Sequence, residues 1–323
     1  MKKSLVALAA LAVVGVASAQ SSVTMYGVAD VAVMKSSGSK VGGRANSAFN
    51  NGNSRLGVRG NEDLGGGLKA FFNFEQAVDL GTGATDAVTW QRAAYMGLGG
   101  NFGEVYAGRR LTPNYMAIAA YELTGTANYS VVGSQFGFGG DTAATVIGRL
   151  PTVNTRQNSH AAYTTPSFGG FTATLGAQLA SNSPNNRDTV MGNLIYKQGP
   201  IAAAFGYHKT ETLNRSLSLG GSYDFGMAKV AVGFYDPALL AKGFSVGASM
   251  PLGPVVLTLD VARQTEGTDD TDILLEAKYA LSKRTFAYAI ALRDEDGRTA
   301  AVRALTGARA KTNTFGMGVR HNF

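Results

Sequence analysis

Few residues of this 323-residue chain are of a type that makes or breaks bonds. There is no cysteine, which excludes disulfides, thiolate nucleophiles and thiolate metal sites. Only three histidines occur, His160, His208 and His321, so a Ser-His pair has few candidate bases. The segment 243–247 (GFSVG) has the G-x-S-x-G spacing of a hydrolase nucleophile. That motif needs a sharp strand-to-helix turn, whereas residues here alternate straight through it. Ser245 therefore reads as an ordinary strand residue. Two acidic runs, 269–272 (DDTD) and 294–297 (DEDG), could hold a divalent cation, but neither fits the twelve-residue calcium loop. They read as solvated tips, with metal-bridged contact to lipopolysaccharide phosphates as the alternative. No phosphate-binding glycine loop or nucleic-acid module is visible, so neither a cofactor nor a nucleic-acid partner is expected.

The chemistry that remains is electrostatic. Arg55 and Arg59 share a face with Gly57, opposite Leu56 and Val58. Lys69, Asn73 and Glu75 lie opposite Ala70, Phe72 and Phe74. By the same alternation Arg156 shares a face with Asn158 and His160, opposite Ala161 and Tyr163, and Arg92 follows Trp90 in a less regular stretch. Guanidinium groups in mid-strand require either partners or water on their side of the sheet.

The elements that position them are strands. Period-two alternation runs through most of the chain. At the C-terminus Phe315, Met317, Val319, His321 and Phe323 oppose Thr314, Gly316, Gly318, Arg320 and Asn322. Ile273, Leu275, Ala277, Tyr279 and Leu281 oppose Asp272, Glu276 and Lys278, with Leu274 out of pattern. The segments run roughly ten residues, the length of a tilted strand crossing a bilayer. Their connections alternate in kind. Seven are short, at 63–67, 101–103, 166–170, 198–200, 225–227, 251–254 and 281–284. Eight others, several long and polar, fall at 36–50, 80–88, 112–155, 182–186, 211–213, 237–242, 266–270 and 295–311. Seven plus eight connections make sixteen strands, and an even number returns the last strand to the first with no open edge in lipid.

The N-terminus supplies the export signal such a barrel needs. Lys2 and Lys3 precede an apolar run over 5–16 and the small-residue site Ala17-Ser18-Ala19. Residues 1–19 read as a cleaved signal peptide, leaving 20–323 as one barrel domain of 323 − 19 = 304 residues. With 42 glycines, 8 prolines and 16% charged residues, the composition suits many short strands and tight turns. The formal charge of +7 falls to +5 once Lys2 and Lys3 are removed, a surplus that favours anionic partners.

A bore of this size is too wide for side chains to fill and holds water, which satisfies inward polar groups. An arginine facing lipid at the midplane costs about 2–4 kcal/mol, so the mid-strand arginines are assigned to the lumen. The connection 112–155 is far longer than the rest and rich in apolar and aromatic residues, among them Tyr115, Ile118, Tyr121, Tyr129 and Phe136. A loop of that length is functional or disordered. Its composition argues for a place inside the bore, where it narrows the passage.

Several segments together resemble the general porins of Gram-negative bacteria, in particular the anion-selective porins of β-proteobacteria. They are 20–30 (QSSVTMYGVAD), 54–60 (SRLGVRG), 62–70 (EDLGGGLKA), 100–105 (GNFGEV), 166–171 (PSFGGF), 281–285 (LSKRT) and 318–323 (GVRHNF). The resemblance implies a homotrimer of sixteen-stranded barrels whose third loop folds inward as an eyelet. It also implies an arginine cluster at the constriction. By motif position this falls on Arg55 (in SRLG), Arg92 (in WQR) and Arg156 (in NTR), with Glu75 (in FNFE) as acidic counterpart. Inward arginines could instead be cancelled by loop carboxylates such as Glu122 or Asp141. The terminal Phe323 resembles the signal read by the barrel-assembly machinery. The function so implied is passive diffusion of small hydrophilic solutes and ions across the outer membrane, with anion preference. The alternatives are a substrate-specific channel, a barrel enzyme and an adhesin.

Overall fold

A computed structural model describes residues 21–37, 42–45, 51–85, 87–136, 155–179, 181, 188–211, 215–237, 242–266, 270–294 and 312–323. The expected signal segment 1–19 lies outside them, as do 137–154 of the long loop and, of the two acidic runs, 269 and 295–297. The strands are β1 (Ser22–Ser36), β2 (Gly42–Ala45), β3 (Arg55–Gly65), β4 (Leu68–Ala77), β5 (Ala93–Gly100) and β6 (Gly103–Leu111). Then follow β7 (Arg156–Thr164), β8 (Phe171–Gln178), β9 (Thr189–Gln198), β10 (Ile201–Thr210), β11 (Arg215–Asp224) and β12 (Lys229–Asp236). The last are β13 (Gly243–Leu252), β14 (Val255–Gln264), β15 (Thr271–Ala280), β16 (Thr285–Asp294) and β17 (Thr312–Asn322). Two short helices, α1 (Pro113–Ala119) and α2 (Val131–Phe136), sit in the long connection between β6 and β7.

All seventeen strands form one antiparallel sheet. β2 pairs with β1 beyond the stretch that pairs with β3, so sixteen staves (17 − 1) remain to close the barrel. Closure joins β1 to β17 from Val28↔Asn322 to Ser36↔Thr314. Gly27 and Phe323 exchange backbone hydrogen bonds of 3.0 and 3.1 Å at the end of that seam. The seven short turns fall where the punctuation of the sequence puts them. In the β11–β12 turn Gly226 adopts φ +81°, and its N–H donates to Asp224 Oδ1 at 2.8 Å. A side chain at that φ would be strained, so the turn is built on glycine.

The alternation decides what each face meets. Outward positions are apolar and exposed, among them Val23, Met25, Leu175 and Met317. This is the pattern of a wall solvated by hydrocarbon. The inward face has two different coverings. Along β8–β11 it carries α1, and along β14–β15 it carries α2. There the loop residues Ile118, Tyr121, Tyr129, Val131, Val132 and Phe136 are buried against wall residues such as Ala204, Tyr235, Ala262 and Leu274. Each large apolar side chain so buried contributes about 1.5–3 kcal/mol. Leu274, out of pattern in the sequence, is inward and fully buried beneath this loop. Water therefore does not meet that side of the wall.

One expected face is broken. The pairing of β6 with β7 slips between Gly108↔His160 and Arg110↔Gln157, and Ser159 adopts φ +46°. The extra residue brings Gln157, not Asn158, opposite Arg110. Arg156 and His160 are buried, whereas Asn158 is exposed and accepts from Arg109 Nη1 at 2.5 Å. Arg156, Asn158 and His160 thus do not share one face, because a β-bulge resets the parity of the strand.

Candidate functional site: a charged passage through the lumen

The inward rows of the sheet can be followed from strand to strand. Tyr26 on β1 stands beside Gly57 on β3, and Gly57 beside Glu75 on β4. A Cβ on Gly57 would lie 2.4 Å from Tyr26 Cζ, so the glycine lets the phenol ring lie flat against the wall. From there the Tyr26 hydroxyl donates to Glu75 Oε2 at 2.9 Å. Arg92, at the end of the β4–β5 connection, donates from Nε to Glu75 Oε1 at 2.7 Å. Arg55, at the head of β3, sets its Nε 3.4 Å from Glu75 Oε2. Arg156 completes the group at the start of β7 by donating from Nε to the Arg92 carbonyl at 2.7 Å. The four residues singled out by motif are thus brought to one passage.

A fifth charge joins them. Arg320 of β17 lines the same passage and donates from Nη1 to Asn51 Oδ1 at 2.8 Å. Its register partner across the closing seam is Asp30, whose carboxylate accepts from the Gly52 N–H at 2.9 Å and the Tyr288 hydroxyl at 2.6 Å. Arg320 already stood on the polar face of the last strand. Only closure of β17 onto β1, a non-local event, carries it to the others. The passage lining holds four guanidinium groups and one carboxylate, a net charge of 4 − 1 = +3. Arginine does not deprotonate at physiological pH, so these cations are permanent.

Among the described residues the opposite side is neutral. Tyr115, Gly125, Thr126 and Asn128 of the long loop line the passage, and residues 112–136 contain no Lys or Arg. The loop's Glu122 does not neutralise the arginines. Its carboxylate accepts from Thr124 Oγ1 at 2.5 Å, the Thr126 N–H at 2.7 Å and Ser130 Oγ at 2.8 Å, and it is buried within the loop's own fold. Asp141 lies outside the described residues. The loop is tied to the wall by polar contacts as well. Tyr129 donates to Glu276 at 2.5 Å, Ser134 to Asp272 at 2.8 Å and Ser218 to Asn114 at 2.6 Å.

Elsewhere the residues of chemical type are structural. Ser245 lies in the straight run of β13, and its hydroxyl shares a 3.1 Å hydrogen bond with Tyr235, with no nucleophile elbow. Phe323 lays its ring over Gly27, where a Cβ would come within 2.3 Å of Cζ. Among the described residues no three His, Cys, Asp or Glu side chains form a metal-binding group.

A closed antiparallel barrel, apolar outside and with a charged passage inside, is a membrane channel rather than an enzyme. The chain belongs to the Gram-negative porin family, whose model matches residues 5–299. It is 33% identical to outer membrane porin protein 32 of Delftia acidovorans over 359 aligned positions spanning 100% of both chains. It is 26% identical to the major outer membrane protein P.IB of Neisseria meningitidis, again over 100% of both. Among solved structures, the anion-selective porin from Comamonas acidovorans superposes with a TM-score of 0.75 at 28% identity, covering 94% of this chain and 100% of that one. The protein is therefore an outer-membrane porin.

Proposed function

We propose that the protein is a general diffusion pore with a preference for anions, exercised where Arg55, Arg92, Arg156 and Arg320 face the loop across the lumen. The observation that carries this reading is the +3 charge of that passage lining, set against a loop segment without charge of its own toward it. Fixed cations raise the local anion concentration and repel cations. Glu75 sits among the arginines on the same wall, where it orders Arg55 and Arg92 without cancelling them. The likeness to a porin described as anion-selective supports the same reading. The long loop then acts as the constriction and solutes pass down their gradients without chemistry.

On this reading the protein works as a homotrimer, exported through 1–19 and assembled with Phe323 read as its C-terminal signal. Contact with lipopolysaccharide would run through the acidic run 294–297 and a bridging divalent cation, since in the run 269–272 Asp270 and Asp272 are buried and Asp272 accepts from Ser134 rather than forming a solvated tip. The test is reversal potential under a KCl gradient in planar bilayers. Wild-type protein should insert in steps of three and reverse toward chloride. Arg55→Glu removes one positive charge, adds one negative, and should lower the chloride preference. Unchanged selectivity in that variant would rule Arg55 out of the selective passage.

A further inference from the structure

Periplasmic to the charged passage, the inward face of β3–β6 carries something a wet wall does not need. In the register row after Glu75 stand Arg59, Asn73, Tyr95 and Gly108 on successive strands. The next row holds Asn61, Phe71, Gly97 and Tyr106, and the row beyond it Asp63, Lys69, Gly99 and Glu104. The aromatic rings are in contact with one another. Phe71 and Tyr95 meet edge-to-face at 6.5 Å between centroids, and Tyr95 lies 6.0 Å from Tyr106. Glycines beneath them keep the surface flat, since a Cβ on Gly97 would lie 2.5 Å from Phe71 Cζ.

Two cations, Arg110 and Lys69, border these rings, and Lys69 is paired with Glu104 at 3.0 Å. Arg110 stacks over both Tyr95 and Tyr106, at 4.7 and 4.3 Å from the centroids. Lys69 Nζ lies 5.7 Å from the Phe71 centroid, and Arg59 lies 5.0 Å from that of Tyr26. Arg59 is exposed and has no carboxylate within ion-pair reach among the described residues. Phe71 and Tyr95 are half-buried, with part of each ring open to the lumen. Phe71 and Tyr95 are thus partly open rings of the lumen wall set beside Lys69 and Arg110, with Arg59 in the same register row as Tyr95.

We propose that this belt is a second binding station, specific for planar aromatic carboxylates. The carboxylate pairs with Arg59, and the ring packs against Phe71 and Tyr95. Aromatic pairs gain from offset or edge-to-face contact beyond the area they bury, which an aliphatic acid of the same charge cannot offer. The proposal rests on the anion-conducting reading above and adds to it a class of solute.

The test uses the full-length protein in planar bilayers, with benzoate, acetate or cyclohexanecarboxylate added to a chloride electrolyte. Benzoate is expected to reduce the chloride current to a saturating limit, and acetate is expected only to change it in proportion to mobility. In Phe71→Ser/Tyr95→Ser the half-blocking benzoate concentration should rise about tenfold, equivalent to about 1.4 kcal/mol, at unaltered chloride selectivity. Arg59→Gln should weaken the block in the same direction, and Tyr95→Phe should retain it. Benzoate behaving as acetate does in the wild type would overturn the proposal, and that comparison needs no variant to fold. Equal block by cyclohexanecarboxylate would overturn the planar specificity. Cation preference of the wild-type channel would instead sink the arginine passage, so the two failures are told apart.

Discussion

The two sides of the barrel wall use one device for opposite ends. Along β11–β13 inward glycines form sockets for the long loop. A Cβ on Gly220 would lie 2.3 Å from Tyr121 Cζ, on Gly243 2.8 Å from Phe136 Cζ, and on Gly247 2.9 Å from Leu123 Cδ1. Along β3–β5 Gly57 and Gly97 receive rings from the wall itself, Tyr26 and Phe71. In the first case a flat apolar side chain over a glycine docks a second layer and expels water. In the second it smooths a wall that stays wet and keeps its charges in the lumen. The loop brings no cation over its described length, so among the described residues positive charge faces the passage from the wall side. On the reading proposed above, solutes would pass between a cationic wall and the neutral, dry-backed described part of the loop.

The sharpest way to break this contrast is to fill a socket. Gly220→Val places a branched side chain where the Tyr121 ring lies. Overpacking of this kind costs about 1–3 kcal/mol, and the strand is held by its ladder on both sides, so the loop is the partner expected to give. The loop should lift, giving larger single-channel conductance and new cleavage by a protease that cuts after aromatic residues. Conductance and protease resistance equal to wild type would mean that the loop does not depend on this socket.

A milder change tests the polar ties of the same layer. Tyr129 donates to Glu276 at 2.5 Å and accepts from Asn51 Nδ2 at 2.8 Å, linking the loop to the far wall and to the passage lining at once. Tyr129→Phe keeps the ring and removes both bonds. A hydrogen bond to a charged group contributes about 1.5–3 kcal/mol, and Glu276 keeps Lys278 at 2.8 Å, so the loss should fall near the lower end. The expected result is a lowered thermal midpoint with increased open-channel noise at nearly unchanged mean conductance. A quiet channel would show the apolar sockets to be sufficient.

How much of this was legible beforehand follows from the range of the interactions. The sixteen strands and the seven short turns are local properties, written in period-two alternation and in runs such as EDLGGGLKA. Arg55, Arg92, Arg156 and Glu75 could be picked out because short motifs mark them. Arg320 could not be joined to them by local reasoning, since it reaches the passage only through the β1–β17 seam. The bulge at Ser159 left no mark in the alternation, because one inserted residue changes parity without changing composition. Leu274 broke the pattern visibly, yet its meaning depended on a loop more than a hundred residues earlier. Inward glycines were equally mute. Whether a glycine is a turn, a socket or a smooth patch is decided by what crosses it.

The smallest predicted effect separates charges by depth. Arg55 and Arg92 have 23% and 11% of their side-chain surface exposed, whereas Arg59 stands exposed one row beyond Glu75 and two beyond Arg55. Salt screens exposed charges over about 10 Å at 0.1 M and about 3 Å at 1 M, and screens partly buried ones far less. Arg59→Gln should therefore reduce chloride preference at 0.1 M KCl and leave it unaltered at 1 M. Arg55→Gln should reduce it at both concentrations. Equal effects of the two substitutions at 1 M would mean that the passage is no more sheltered than the vestibule below it. The selective element would then be the whole cationic wall, and the loop facing it would set only the width of the path.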